Sequence, residues 1–294
     1  MNDTVDALIS PTLKHLREHW WDDEFTEFLA ETLRPRPGNR ILDVGCGEGL
    51  AEVAIGRLQI SQVRLYGVDL VPSKAAGAKR ATESHNQRVR FSAGDAGRLP
   101  FPGGSFDSTF CVAVLQHVRQ VAEAVAELAR VTATGGRVLI VEPDNAARYA
   151  YSSLSAGTRA FTAASRFFAA LADARGESTD PSVGPKAAAM LRQAGVEPLV
   201  VRLFPVSHAQ LGAAAPEVWT ARRSAAESAL ASSPTIEVRR LGTTYVDALD
   251  EYRDAARAAG DGCVEIQHTT LFATVGQKSS EASPQADEHA APPR

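Results

Sequence analysis

The sequence predicts an α/β protein with a doubly wound, mostly parallel seven-stranded sheet, N-terminal helices and a helical insertion. Three observations predict it. Short apolar strands alternate with helical segments from Arg40 to Glu142, a glycine turn closes the first strand, and a β-branched run, Val264 to Val275, stands near the end.

Phe25, Leu29 and Leu33 recur at four-residue spacing, as one buried helix face requires, and Trp20 and Trp21 stand before them. Arg36-Pro37-Gly38 closes that helix. Ile41 to Val44 is a short apolar strand ending in glycines, and a helix runs from Leu50 to Leu58. Val63 to Asp69 is a second strand, Ser73 to Ser84 a helix, and Arg88 to Phe91 a third strand. Phe106 to Val114 is apolar enough for a strand buried on both faces. Val121, Val125 and Leu128 mark a helix face, ended by Gly135-Gly136, before a fifth strand from Arg137 to Glu142. Such alternation implies right-handed crossovers and parallel pairing.

Beyond Glu142 the regularity weakens. Residues 151–175 are Ala-rich and helical, Lys186 to Ala194 is a helix stopped by Gly195, and Val196 to Phe204 is a strand. The expected organisation is a helical cap at 1–36, an α/β core at 37–206, a helical insertion at 207–262 and a final core strand at 263–276. The polar tail, 277–294, lacks large apolar residues and is expected to be disordered.

The chain has 294 residues, 44% of them hydrophobic and 22% charged, a globular composition. A net charge of −4 offers no general attraction to nucleic acid or anionic lipid. The three cysteines, Cys46, Cys111 and Cys263, are far apart and form no metal-ligand spacing. No apolar run reaches the ~18 residues of a membrane helix, and Met1-Asn2-Asp3 does not open a signal peptide. These readings give a soluble, cytoplasmic protein, monomer or homodimer, with no metal, nucleic-acid or membrane partner.

Chemistry concentrates at Asp43-Val44-Gly45-Cys46-Gly47-Glu48-Gly49. Glycine has no Cβ to obstruct a ligand, so such a turn brings backbone N–H groups and a helix N-terminus close to it. The dinucleotide fingerprint GxGxxG fails on spacing: Leu50 or Glu52 stands where the last glycine should be. The pattern is GxGxG preceded by an acid. Asp69 then ends the second strand, Gly94-Asp95-Ala96 comes after the third, Phe106-Asp107-Ser108 and Leu115-Gln116-His117-Val118 flank the fourth, and Gly135 to Ile140 leads the fifth.

With these landmarks in order, the stretch from Gly38 to Glu142 resembles the class I S-adenosyl-L-methionine (SAM)-dependent methyltransferases, in particular their small-molecule branch with its ubiquinone-type and natural-product enzymes. The resemblance implies a Rossmann-like methyltransferase fold, SAM as cofactor and a small-molecule acceptor. It implies that Asp43, Gly45, Cys46, Gly47 and Gly49 carry the methionine part of the cofactor. It places Asp69 on the ribose, Leu70 on the adenine face, Asp95 and Ala96 at the adenine edge, and Cys111 and Val112 beneath the sulfonium.

Methyl transfer from a sulfonium is a direct displacement, and a base is needed only for a protonated nucleophile. Glu142 and Asp144 come after the fifth strand, and two carboxylates there suit a basic amine or guanidine; Asp144 reads equally as a helix cap. His117 is a candidate base, with Glu142 the other catalytic candidate. Trp20, Trp21, Arg148, Tyr149 and His268 are candidate acceptor contacts, and the 207–258 insertion would act as a lid. Glu265 and Gln267 share the opposite strand face from His268, where an edge-strand surface role is expected. O- or C-methylation, a non-catalytic SAM-binding protein, an NAD(P) enzyme and a nucleic-acid methyltransferase are the alternatives. The glycine spacing argues against the third. The acidic balance and Cys111 to Leu115, which is not an Asn-Pro-Pro-Tyr type motif, argue against the fourth.

Overall fold

The structure is a computed structural model and describes residues 20–57, 62–84, 89–176 and 179–279. The start and most of the tail, on which the signal-peptide and disorder expectations fall, lie outside the described residues.

Helix α1 (Asp23–Leu33) begins where the Asp22 side chain accepts the Phe25 N–H at 2.8 Å and ends at Arg34 in the left-handed region. Its face of Phe25, Phe28, Leu29 and Leu33 packs on the sheet with Phe204 and Val206. Then come β1 (Arg40–Val44), α2 (Leu50–Arg57), β2 (Arg64–Asp69), α3 (Pro72–Ser84), β3 (Val89–Ala93), β4 (Phe106–Val112), α4 (Val121–Val131) and β5 (Thr132–Pro143). After them stand β6 (Tyr149–Ser152), α5 (Ser155–Ala174), α6 (Val183–Gln193), β7 (Val196–Leu211), α7 (Pro216–Ala231), α8 (Ile236–Ala259) and β8 (Val264–Lys278).

The sheet has eight strands. β3, β2, β1, β4 and β5 are parallel neighbours in that order. β8 runs antiparallel along β5, then along β6, and its other edge carries β7 over its whole length. Ile41, Phe110, Leu139 and Val141 point to the α1 side, while Leu42, Val44, Cys111 and Ile140 point to α4 and α6. Apolar residues line both faces, as a parallel sheet under two helix layers requires.

Four expectations change. The seven strands become eight, because Tyr149 to Ser152 pairs with β8 and delays the next helix to Ser155. Gly135-Gly136 does not end α4. The helix passes directly into β5 at Thr132, and the glycines lie where the pairing jumps from Phe106↔Thr132 to Ser108↔Arg137. A Cβ on Gly136 would sit 2.7 Å from the Asp107 carbonyl oxygen, so the bulge needs glycine. The insertion starts later than 207, since Ser207 to Leu211 remain hydrogen-bonded to β8. β8 is central rather than an edge, and Glu265 is buried.

β6, the far end of β8, α5, α7 and α8 form a lobe beyond the carboxyl end of β5 with a core of its own, including Trp219, Tyr252 and Phe167. Arg222 on α7 donates to both Glu265 oxygens, at 2.9 and 2.7 Å, and Tyr252 Oη donates to Glu265 at 2.9 Å. These bonds tie the insertion to the sheet.

Candidate active site

The carboxyl ends of β1, β2 and β4 converge on the glycine turn. Gly45, Gly47 and Gly49 all have positive φ, +78°, +53° and +83°. Space restricts two of them as well. A Cβ on Gly45 would lie 2.3 Å from Val114 Cγ2, and one on Gly49 would lie 3.1 Å from Ala78 of α3. A Cβ on Gly47 would meet only the Gly45 carbonyl oxygen, at 4.0 Å, so at that point the turn is bare backbone.

Asp69 fixes this turn. One carboxylate oxygen accepts the Gly47 N–H at 2.9 Å and the other the Val71 N–H at 2.8 Å. Gly45 and Cys46 donate to the Val68 carbonyl oxygen at 2.7 and 3.1 Å. Asp43 is buried at the end of β1. Burial, then Glu52 and Asp69, push its carboxyl well above the usual range. Burial likewise pushes the Cys46 thiol far up, so it is not a nucleophile at neutral pH. Leu70 is 56% exposed just past Asp69. Asp95 is exposed, and its side chain accepts the Gly97 N–H at 2.8 Å; Ala96 is half-buried beside it.

Glu142 is the main correction among the candidates. Its carboxylate is wholly buried and accepts the N–H groups of Val114 and Leu115, both at 2.7 Å, and of Gln116 at 3.3 Å. It pins the loop after β4, where Ala113 takes a positive φ of 56°, and faces backbone rather than an acceptor. Asp144 caps its own turn: one oxygen accepts from Ala146 at 3.1 Å, Ala147 at 3.3 Å and Ser182 Oγ at 2.8 Å. The chain beyond Asp144 makes a bend and then β6, not a helix. Cys111 is sealed in the core between β4 and α4, so its thiol lines no open floor; Val112 is half-buried on the opposite face.

His117 is exposed on the short 3₁₀ turn Leu115–His117. Tyr149, 52% exposed on β6, stands opposite His268 of β8. His268 is hydrogen-bonded through Nδ1 to Ser207 Oγ at 2.8 Å and through Nε2 to Thr270 Oγ1 at 3.2 Å. Arg148 donates to Asn145 Oδ1 at 3.2 Å. Trp20 is buried in the α1 core, and half-buried Trp21 packs edge-on against Phe25. Two residues escape a reading of the sequence. Gln116 accepts from Asn145 Nδ2 at 2.7 Å, which joins the loops after β4 and β5. Glu52, which in the sequence only breaks the dinucleotide spacing, is 1% exposed beside Asp43.

Such a turn at the carboxyl edge of an open parallel sheet, with an acid at the end of each of its first two strands, defines a nucleoside-binding α/β protein. Sequence comparison agrees with the resemblance: residues 42–140 match the family described as a methyltransferase domain. It is 33% identical over 150 residues to 27-O-demethylrifamycin SV methyltransferase of Amycolatopsis mediterranei, covering 47% of this chain and 53% of that one. It is 34% identical over 113 residues to demethylmenaquinone methyltransferase of Deinococcus radiodurans, covering 38% and 46%. The matches thus span about half the length of these curated relatives. The YcgJ protein of Bacillus subtilis shares the fold with a TM-score of 0.54 at 21% identity, covering 87% of this chain and 98% of that one.

SAM is the cofactor that the resemblance implies, and the residues present fit it. The bare backbone at Gly47 admits close approach, and the acids Asp43, Glu52 and Asp69 suit a ligand carrying a sulfonium and an ammonium. Among the described residues no group of three or more His, Cys, Asp or Glu side chains is placed to hold a metal ion, and no helix is long and apolar enough to cross a membrane.

Proposed function

We propose that the chain transfers a methyl group from SAM to a small-molecule acceptor, and that the acceptor atom is an oxygen or a carbon. The positive-φ glycine turn held by Asp69 carries the reading. When bound, the cofactor supplies the activated methyl carbon. The chain's own residues then bind, orient and exclude water. Asp69 holds the turn and keeps lone pairs for ribose hydroxyls, Leu70 covers one adenine face, and Asp95 with the Ala96 backbone reads the adenine edge. Asp43 faces the cationic end. Glu142 acts as a positioning residue: it fixes residues 114–116, and Val114 in turn packs against Gly45.

The expectation of a basic amine or guanidine rested on Glu142 and Asp144. The Glu142 carboxylate is buried and turned to three backbone N–H groups, which takes it away from an acceptor cation, and one Asp144 oxygen is taken up by its own turn and Ser182. The names of two relatives, one an O-demethylrifamycin methyltransferase and the other a demethylmenaquinone methyltransferase, support a neutral acceptor. For a hydroxyl acceptor, exposed His117 is the candidate base. Tyr149, Arg148 and His268 are candidate acceptor contacts on the lobe, which would close over the bound pair as a lid. Trp21 is a further contact candidate, and buried Trp20 serves packing.

The experiment is transfer of a labelled methyl group from SAM to a panel of phenols, polyketide-type hydroxyls, quinols and amines. Labelled ether or C-methyl products are expected. Products confined to amines would refute the acceptor assignment, and SAM uptake with no product on any class would favour a binding protein.

A further inference from the structure

Methyl transfer gives the buried carboxyl group of Glu52 no part. It lies on α2, 1% exposed, and among the described residues no side chain and no other residue's backbone donates to its oxygens. Its place is set by Gly67. Asp43, Gly67 and Phe91 are register partners across β1, β2 and β3. A Cβ on Gly67 would lie 2.8 Å from Glu52 Oε1 and 2.5 Å from Phe91 Cδ1. Glycine here opens the sheet face so that a carboxyl group can occupy it, next to Asp43 and below the cofactor turn.

A carboxylate with no cation and no donor beyond its own backbone N–H cannot remain charged in such a place without large cost. Among the described residues, the charges that shift Asp43 are those of Glu52 and Asp69, and no cation is among them. Asp69 ends β2 beside Asp43, and the Cys46 thiol in the turn lies near all three acids, while the Cys111 thiol lies on the other face of the sheet. The economical solution is one proton on the pair of carboxyls rather than two buried negative charges. Burial pushes Glu52 up to about 8, and burial with the charges of Glu52 and Asp69 pushes Asp43 well above its ordinary range.

We propose that Glu52 and Asp43 hold one proton between them in the ligand-free chain, and that the cationic cofactor expels it. One carboxyl O–H bond breaks, the proton passes to solvent, and the pair gains one negative charge opposite the incoming positive charge. S-adenosylhomocysteine has a neutral sulfur and would expel less. Proton return would then favour release of the demethylated product. This inference rests on the SAM-binding reading.

Calorimetry of intact chain at pH 7 tests it, with SAM and with S-adenosylhomocysteine titrated in phosphate and in Tris, buffers of very different ionisation enthalpy. SAM should bind with release of about half to one proton, read from the buffer dependence of the enthalpy. S-adenosylhomocysteine should release clearly less, and Glu52→Gln should bind SAM without buffer dependence. Below the pair's upper titration, SAM affinity should rise up to about tenfold per pH unit. If Glu52→Gln does not fold, infrared difference spectra of the unaltered chain decide: a protonated-carboxyl stretch should vanish on adding SAM. SAM binding with the same enthalpy in both buffers, or a carboxyl stretch that SAM leaves in place, would overturn the proposal. No SAM uptake at all would overturn the cofactor reading with it, a distinct result.

Discussion

Replacing Glu142 with Gln should destabilise the fold and also weaken SAM binding. The carboxylate collects three backbone N–H groups in a site with no solvent access. A hydrogen bond to a charged group contributes about 1.5–3 kcal/mol, and a neutral one about 0.5–1.5. Gln keeps one oxygen, which fits best against the Val114 and Leu115 N–H groups. Its amide nitrogen then faces the Gln116 N–H, and a buried donor left without an acceptor costs about 1–3 kcal/mol. Weakening the two short bonds and losing the third gives a total of about 3–6 kcal/mol. Because residues 113–116 carry Val114 against Gly45, the relaxed loop should release the turn, and SAM affinity should fall several-fold. Urea unfolding followed by tryptophan fluorescence reads the first effect and calorimetry the second. A stability loss below about 0.5 kcal/mol, with normal SAM uptake and a raised acceptor KM, would refute the reasoning. It would return Glu142 to the acceptor.

Other perturbations obey the same logic. Asp69→Ala removes the acceptor of the Gly47 N–H and should weaken SAM binding by about 1–3 kcal/mol; unchanged calorimetric affinity would contradict the role given to Asp69. Gly45→Ala places a Cβ against Val114 at positive φ and should cost about 1–3 kcal/mol in a denaturation curve. Adding Val114→Ala should restore only part, since the backbone strain stays, whereas full restoration would show that space alone matters. Arg222→Met leaves Glu265 charged and buried without its cation, and should cost about 3–5 kcal/mol. Limited proteolysis should then cut the lobe first, and an unaltered cleavage pattern would count against the lock. Glu52, raised by burial from an ordinary 4.5 to about 8, holds in the folded chain a proton that the unfolded chain has already lost. Unfolding releases it between those values, so ligand-free stability should fall as pH rises across that window, by up to about 1.4 kcal/mol per unit. Glu52→Gln should flatten the slope, and a wild-type curve already flat there would contradict it.

The parts that local chemistry dictates are legible in the sequence. A strand, three glycines and a helix make a tight turn with bare backbone, and Asp69 ends its strand and Asp95 stands just past its own, the places where the resemblance expects acids. Features that depend on distant residues are not legible. Glu142 reads as an acid at the mouth of a pocket until the loop 28 residues before it curls over its carboxylate. Glu265 reads as a surface acid on an edge until β7 covers that edge and Arg222 arrives from the insertion. Glu52 enters the sequence reading only as a break in the dinucleotide spacing, although the apolar Leu50, Ala51, Val53, Ala54 and Ile55 around it are a signal that this acid is buried. β6 is short, and its two tyrosines and its pairing with β8 distinguish it from the Ala-rich helix it precedes.

Isothermal titration of the intact chain with SAM, beside Asp69→Ala, tests the central claim most directly. Saturable binding at one site per chain, at least fivefold weaker in the variant by an order-of-magnitude reckoning from the lost hydrogen bonds, is the predicted result. No heat of binding from folded wild-type protein, or binding of NADH in place of SAM, would contradict it.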